Sequence, residues 1–189
     1  LVGPPPQGQA HGIIAAVPFT GRAREVVLSL RNRKRRQVAR HLGGLLANRL
    51  VEAEVHRDLD VVTWTPTGPR WRRQRRFDPV EEIAHTVGRQ LGVPTRCLLA
   101  RPGLSTAQKE RSRSEHSGVP EFAAKAGLSD CNVVVVDDVA TTGATLLAAS
   151  DALEQQGAHH VTLAAVASTP AASGAKVLSF HRAPRAVAA

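Results

Sequence analysis

The chain has 189 residues, 42% of them hydrophobic, which suffices for one substantial core and sets a single domain as the expectation. No run approaches the ~18 consecutive apolar residues of a membrane span, and Leu1 to Ala10 lacks the basic start and apolar centre of a secretory signal, so a cytoplasmic protein with no membrane insertion is expected. A formal net charge of +9 draws the chain toward phosphates, whether on a small ligand, a nucleic acid or an anionic surface, and does not choose among them.

In chain order, residues 1–18 read as a tail, because Pro4-Pro5-Pro6 and scattered glycines give the first dozen no core of their own. A short helix is predicted from about Gly21 to Leu30. A longer amphipathic one follows over Arg35 to Leu50, where Val38, Leu42, Leu45, Leu46 and Leu50 recur at helical spacing. Asp60 to Thr65 has the β-branched character of a strand and stops at Pro66. Asp78 then offers an N-cap, Pro79 suits the first helical position, and Ile83, Val87 and Leu91 line one face until Gly92. Cys97 to Ala100 is a candidate strand, after which Arg101 to Pro120 loses apolar periodicity.

Val133 to Val136 is a continuous β-branched run of the kind buried on both faces of a parallel sheet. A helix from about Gly143 to Gln156 and a strand over Val161 to Val166 complete a crossover unit. The fold class expected is α/β. The N-terminal helices span 20–50, the hood and core 60–167 of a domain over 19–167, and 168–189 is a C-terminal extension.

The stretch that carries chemistry is Val133-Val134-Val135-Val136-Asp137-Asp138-Val139-Ala140-Thr141-Thr142-Gly143-Ala144-Thr145. Two carboxylates are expected where a strand ends, at the sheet edge where open parallel sheets bind ligands. Small residues then lead into a helix, so backbone N–H groups and hydroxyls converge near the positive end of a helix dipole, a place that favours phosphate. Carboxylates beside such a cradle call for a ligand with hydroxyls close to its phosphate, since two facing anions repel. A ribose 5-phosphate meets that requirement. A P-loop would need a Gly-Lys-Ser/Thr ending, which this loop lacks. A receiver domain would need a later phospho-acceptor aspartate, and Asp151, the one later aspartate, falls inside the predicted helix.

This motif resembles the binding motif for phosphoribosyl pyrophosphate (PRPP) of the type I phosphoribosyltransferases, and the resemblance implies their parallel-sheet fold. By it, Asp137 and Asp138 hold the ribose 2- and 3-hydroxyls. Val139, Ala140, Thr141, Thr142, Gly143, Ala144 and Thr145 form the phosphate loop. Mg²⁺ accompanies PRPP, with Asp137 and Asp138 the protein side chains nearest to serving as its ligands. No acceptor base is implied.

Three weaker segments, in family order, resemble the ComF branch of competence-associated phosphoribosyltransferase-like proteins. They are Gly21 to Glu25 with Arg40 to Gly43, Val61 to Phe77, and Gly103 to Ser105 with Lys109 to Arg111. The comparison makes Thr65, Pro66, Thr67, Gly68 and Arg70 a pyrophosphate loop, and Lys109 and Arg111 part of a flexible lid. It also implies handling of single-stranded DNA together with DNA-uptake proteins, in which Trp71 and Phe77 would stack bases while Arg72, Arg73, Arg75 and Arg76 track phosphates. Taken singly, each arginine fits a solvated basic face equally well, and both rings fit core packing. The chain departs from the branch in reading Arg76-Phe77-Asp78-Pro79 where Gly-Phe-Asn-Gln is common, and Thr63-Trp64-Thr65-Pro66 where Val-Pro-Val-Pro is common.

Cys97 and Cys131 supply neither a disulfide framework nor a four-cysteine zinc module, so no zinc is expected. The histidines show no paired spacing at a predicted site.

Overall fold

The computed structural model describes residues 12–30, 35–66, 77–101 and 121–169. Among these residues the main sheet has four strands, all parallel: β1 (Ile13–Pro18), β2 (Val61–Trp64), β5 (Asn132–Ala140) and β6 (His160–Ser168), in the order β1-β6-β5-β2. A separate antiparallel ribbon joins β3 (Leu99–Ala100) to β4 (Ala123–Ala124). The helices are α1 (Gly21–Ser29), α2 (Arg36–Glu52), α3 (Pro79–Leu91) and α4 (Ala144–Glu154), with a single 3-10 turn at Val55–Asp58.

The strand order follows from burial. β5 and β6 occupy the centre, and Val133 to Val136 and Leu163 to Ala167 are buried, as a strand covered by helices on both faces requires. On one face Val134, Val136, Ala164 and Val166 pack against α1, α2 and α3. On the other, Val133, Val135, Leu163 and Ala165 pack against Leu146, Ala149 and Leu153 of α4. Period-two alternation thus feeds two cores from one strand.

Local chemistry accounts for α3. The Asp78 side chain accepts the Val80 N–H at 3.0 Å, Pro79 opens the helix, and Gly92 closes it with φ +70°. In α2, Ala39, Leu42, Leu46, Ala47 and Leu50 face the core, whereas Leu45, expected inside, is 38% exposed. Gly43 replaces it as the contact residue, since a Cβ there would stand 2.8 Å from Thr86 Cβ and force α2 and α3 apart.

Three expectations are corrected. Residues 13–18, read as part of a tail, form the edge strand β1, paired along β6 from Ile13 opposite Leu163 to Pro18 opposite Ser168. That pairing supplies what an isolated short apolar run lacks. The strand expected over Cys97 to Ala100 is shorter, Leu99–Ala100, and pairs with β4 in the ribbon; before it the chain meets β2 through the parallel bridge of Val62 to Thr95 and the Leu98 N–H bond to Thr63 Oγ1 at 3.2 Å. Finally, β5 does not stop at Val136, because β6 continues to Ser168 and keeps Asp137, Val139 and Ala140 in register.

Among the described residues no helix is long and apolar enough to cross a membrane.

Candidate functional site

The two carboxylates sit in the second half of β5, beyond the point where its neighbour β2 has ended. Trp64 pairs with Val136, and Thr65 donates its N–H to the Val136 carbonyl at 3.0 Å as the last rung on that side. On the other side β6 pairs with β5 as far as Ala140. Among the described residues the end of β5 is therefore backed by β6 and runs past the end of β2, a step in the sheet edge that carries the two carboxylates without ending the strand.

Asp137 is 8% exposed, and its Oδ1 accepts the Asp138 N–H at 2.8 Å. Burial, reinforced by the Asp138 charge beside it, pushes the Asp137 carboxyl up to about 8. Bonds from the Asp138 amide and the Thr65 side chain oppose that shift and do not cancel it. At neutral pH the carboxyl therefore mostly keeps its proton, and a ligand that brings cationic charge or hydroxyl donors draws the proton off. Asp138 is half-buried.

Past Ala140 the chain bends through Thr141 and Thr142, both exposed, and Gly143, which is buried with φ +80°. Glycine is favoured there by the left-handed backbone, which disfavours any Cβ; an added Cβ would also lie 2.8 Å from Ile13 Cδ1, the movable end of that side chain. The first intrahelical bond of α4 is Leu147 N–H to the Gly143 carbonyl at 2.9 Å. The Ala144, Thr145 and Leu146 amides thus precede any i−4 partner, and only the Ala144 N–H is taken up locally, by Thr142 Oγ1 at 3.3 Å. No acidic side chain stands in the first turn and none caps Gly143. The result is a helix start whose Thr145 and Leu146 amides have no intrahelical acceptor, at the positive end of the helix dipole.

Of the residues singled out in the sequence, the structure brings Asp137, Asp138, Val139, Ala140, Thr141, Thr142, Gly143, Ala144 and Thr145 into one strand-turn-helix unit and sets Thr65 beside it. Thr65 and Pro66 are buried, and the Thr65 side chain meets Asp137. Phe77 packs against the core with the Arg36 guanidinium 5.2 Å from its ring centre, so its face is already covered. Thr67, Gly68, Arg70, Trp71, Arg72, Arg73, Arg75, Arg76, Lys109 and Arg111 lie outside the described residues. Sequence reading missed Thr169. Its N–H reaches the Ala140 carbonyl at 3.0 Å and its hydroxyl the Thr141 carbonyl at 2.6 Å. Nothing local in the sequence marks it.

Residues 83–181 match the family described as the phosphoribosyl transferase domain, a span that includes β5, the bend and α4. The chain belongs to the phosphoribosyltransferase family. Over 83 residues this family member is 40% identical to adenine phosphoribosyltransferase 2 of Saccharomyces cerevisiae, a match covering 44% of each chain, so it spans less than half of that curated relative. Similar solved structures include TT1426 from Thermus thermophilus, with 22% identity, a TM-score of 0.48 and 71% of this chain against 76% of that one. Purine phosphoribosyltransferase from Pyrococcus horikoshii shows 21% identity, a TM-score of 0.44 and coverage of 69% and 72%. The α/β phosphoribosyltransferase fold expected from the sequence is the fold of this chain, with its parallel core and N-terminal helices.

Proposed function

We propose that the chain binds PRPP at the open end of β5 and transfers its phosphoribosyl group to an acceptor with release of pyrophosphate. The observation that carries this reading is the adjacency of a buried Asp137 to Asp138 on the strand that leads through the Thr141–Gly143 bend into a helix start with no acidic side chain in its first turn. In the reading, Asp137 and Asp138 accept the ribose 2- and 3-hydroxyls, and the amides and hydroxyls of Thr141 to Thr145 take the 5-phosphate. The bond from the anomeric carbon to the pyrophosphate oxygen breaks with its electron pair leaving on pyrophosphate. The acceptor then bonds to the cationic carbon and gives up its proton to the departing pyrophosphate or to solvent. The carboxylates hold the sugar in the reactive orientation and offset the charge that develops on it.

Mg²⁺ fits this donor set. Two adjacent carboxylates, one kept protonated by burial and by the charge of the other, favour a divalent cation, with substrate and water oxygens able to complete its shell. When bound, the ion supplies charge neutralisation for the departing pyrophosphate. Asp137 and Asp138 are the side chains that would hold it.

A second reading, the ComF-type handling of single-stranded DNA, draws support from where the charge lies. Among the described residues acidic side chains outnumber basic ones, so the excess positive charge resides in other segments, such as Arg70 to Arg76. The covered face of Phe77 counts against base stacking by that ring. The two readings separate in one pair of assays. A transferase releases pyrophosphate from PRPP and Mg²⁺ when offered a panel of nucleobases that includes adenine. A DNA-handling factor turns over nothing and binds oligonucleotide with a steep salt dependence.

A further inference from the structure

We infer that Thr169, just past β6, is the positioning residue that aims the amides of the candidate phosphate loop, an inference that rests on the 5-phosphate reading above. In an extended strand successive carbonyls point to opposite sides. Here two in a row do not. The Ala140 carbonyl accepts the Thr169 N–H at 3.0 Å, and the Thr141 carbonyl accepts the Thr169 hydroxyl at 2.6 Å. One residue thus fixes two consecutive peptide planes.

No described peptide bond is cis, so in each plane the N–H points opposite to the C=O. With both carbonyls held toward Thr169, the Thr141 and Thr142 N–H groups are both directed away from it. Thr169 continues β6, which flanks β5 on one side, and β2 flanks it on the other. The paired amides therefore face the side of β5 where β2 has already ended, the side on which Thr65 meets Asp137. Two successive amides pointing one way form the kind of anion-binding concavity that an extended strand cannot make.

The backbone bond to Ala140 would survive any substitution short of proline, so the hydroxyl is the separable part. Thr169→Val removes it with little change of shape, and Thr169→Ser restores it. Calorimetric titration of the full chain with ribose 5-phosphate, and separately with Mg²⁺-pyrophosphate, tests the role. Thr169→Val is expected to weaken ribose 5-phosphate binding about tenfold and to leave Mg²⁺-pyrophosphate binding unchanged, while Thr169→Ser returns to within about twofold of wild type. Equal weakening of both ligands would mark a general structural role and overturn the inference. So would a Thr169→Val protein that binds ribose 5-phosphate as wild type does. A wild-type chain that takes up no ribose 5-phosphate removes the phosphate reading itself, and this inference with it.

Discussion

The side chain of Thr65 hydrogen-bonds the Asp137 carboxyl across the β2–β5 ladder, one step beyond the Trp64–Val136 pair. That bond favours the ionised carboxylate and works against burial and the Asp138 charge. Replacing Thr65 with Val keeps the shape and deletes the bond. The Asp137 titration should then move further up, which carboxyl NMR would register, and PRPP affinity at pH 7 should fall by about tenfold or less.

The buried carboxyl also sets how stability varies with pH. Asp137 titrates near 8 in the folded chain against an ordinary value of 3.8, so between these values the folded state holds a proton that the unfolded state has lost. The protonated carboxyl's contribution is complete below about pH 4 and is lost as pH rises through about 8. Asp137→Asn, which never ionises, should be more stable than wild type at pH 9 by on the order of 1–3 kcal/mol, with a smaller difference at pH 4. Denaturant melts at the two pH values measure this.

Ligand binding should release that proton. If ribose hydroxyls and Mg²⁺ select the ionised carboxylate, affinity for PRPP with Mg²⁺ rises from pH 6 toward pH 9. The observed binding enthalpy then varies with the ionisation enthalpy of the buffer. In Asp137→Asn the part of that dependence due to Asp137 should disappear.

Gly143 ties the loop to the edge strand. Gly143→Ala meets a φ of +80° and, less severely, the movable Cδ1 of Ile13 at 2.8 Å, and should cost about 1–3 kcal/mol of stability, most of it from the backbone. Adding Ile13→Val removes the methyl in the way and should recover the steric part only. Full recovery would show that the backbone conformation carries no cost.

How much was legible in the sequence depended on how local the cause was. Helix α3 could be read almost to the residue because Asp78, Pro79 and Gly92 act within one turn of themselves. The acidic pair and its loop were legible as a continuous motif from Val133 to Thr145. Strand β1 was not, because Ile13 to Pro18 is ordered by β6, which comes almost at the far end of the described chain. The extension of β5 through Asp137 and Asp138 has the same origin. Thr65 was singled out in the sequence as part of a pyrophosphate loop, not as the partner of Asp137, and the contacts of Thr169 were not legible at all. Both act through contacts with distant segments, for which a short window of sequence has no signal.

The most direct measurement is calorimetry with PRPP and Mg²⁺ on the wild-type chain and on the double variant Asp137→Asn with Asp138→Asn. Saturable binding by wild type that is lost in a double variant of normal thermal stability is the predicted result. A wild-type chain that ignores PRPP, or a double variant that binds it undiminished, would contradict the assignment of these two carboxylates to a phosphorylated sugar.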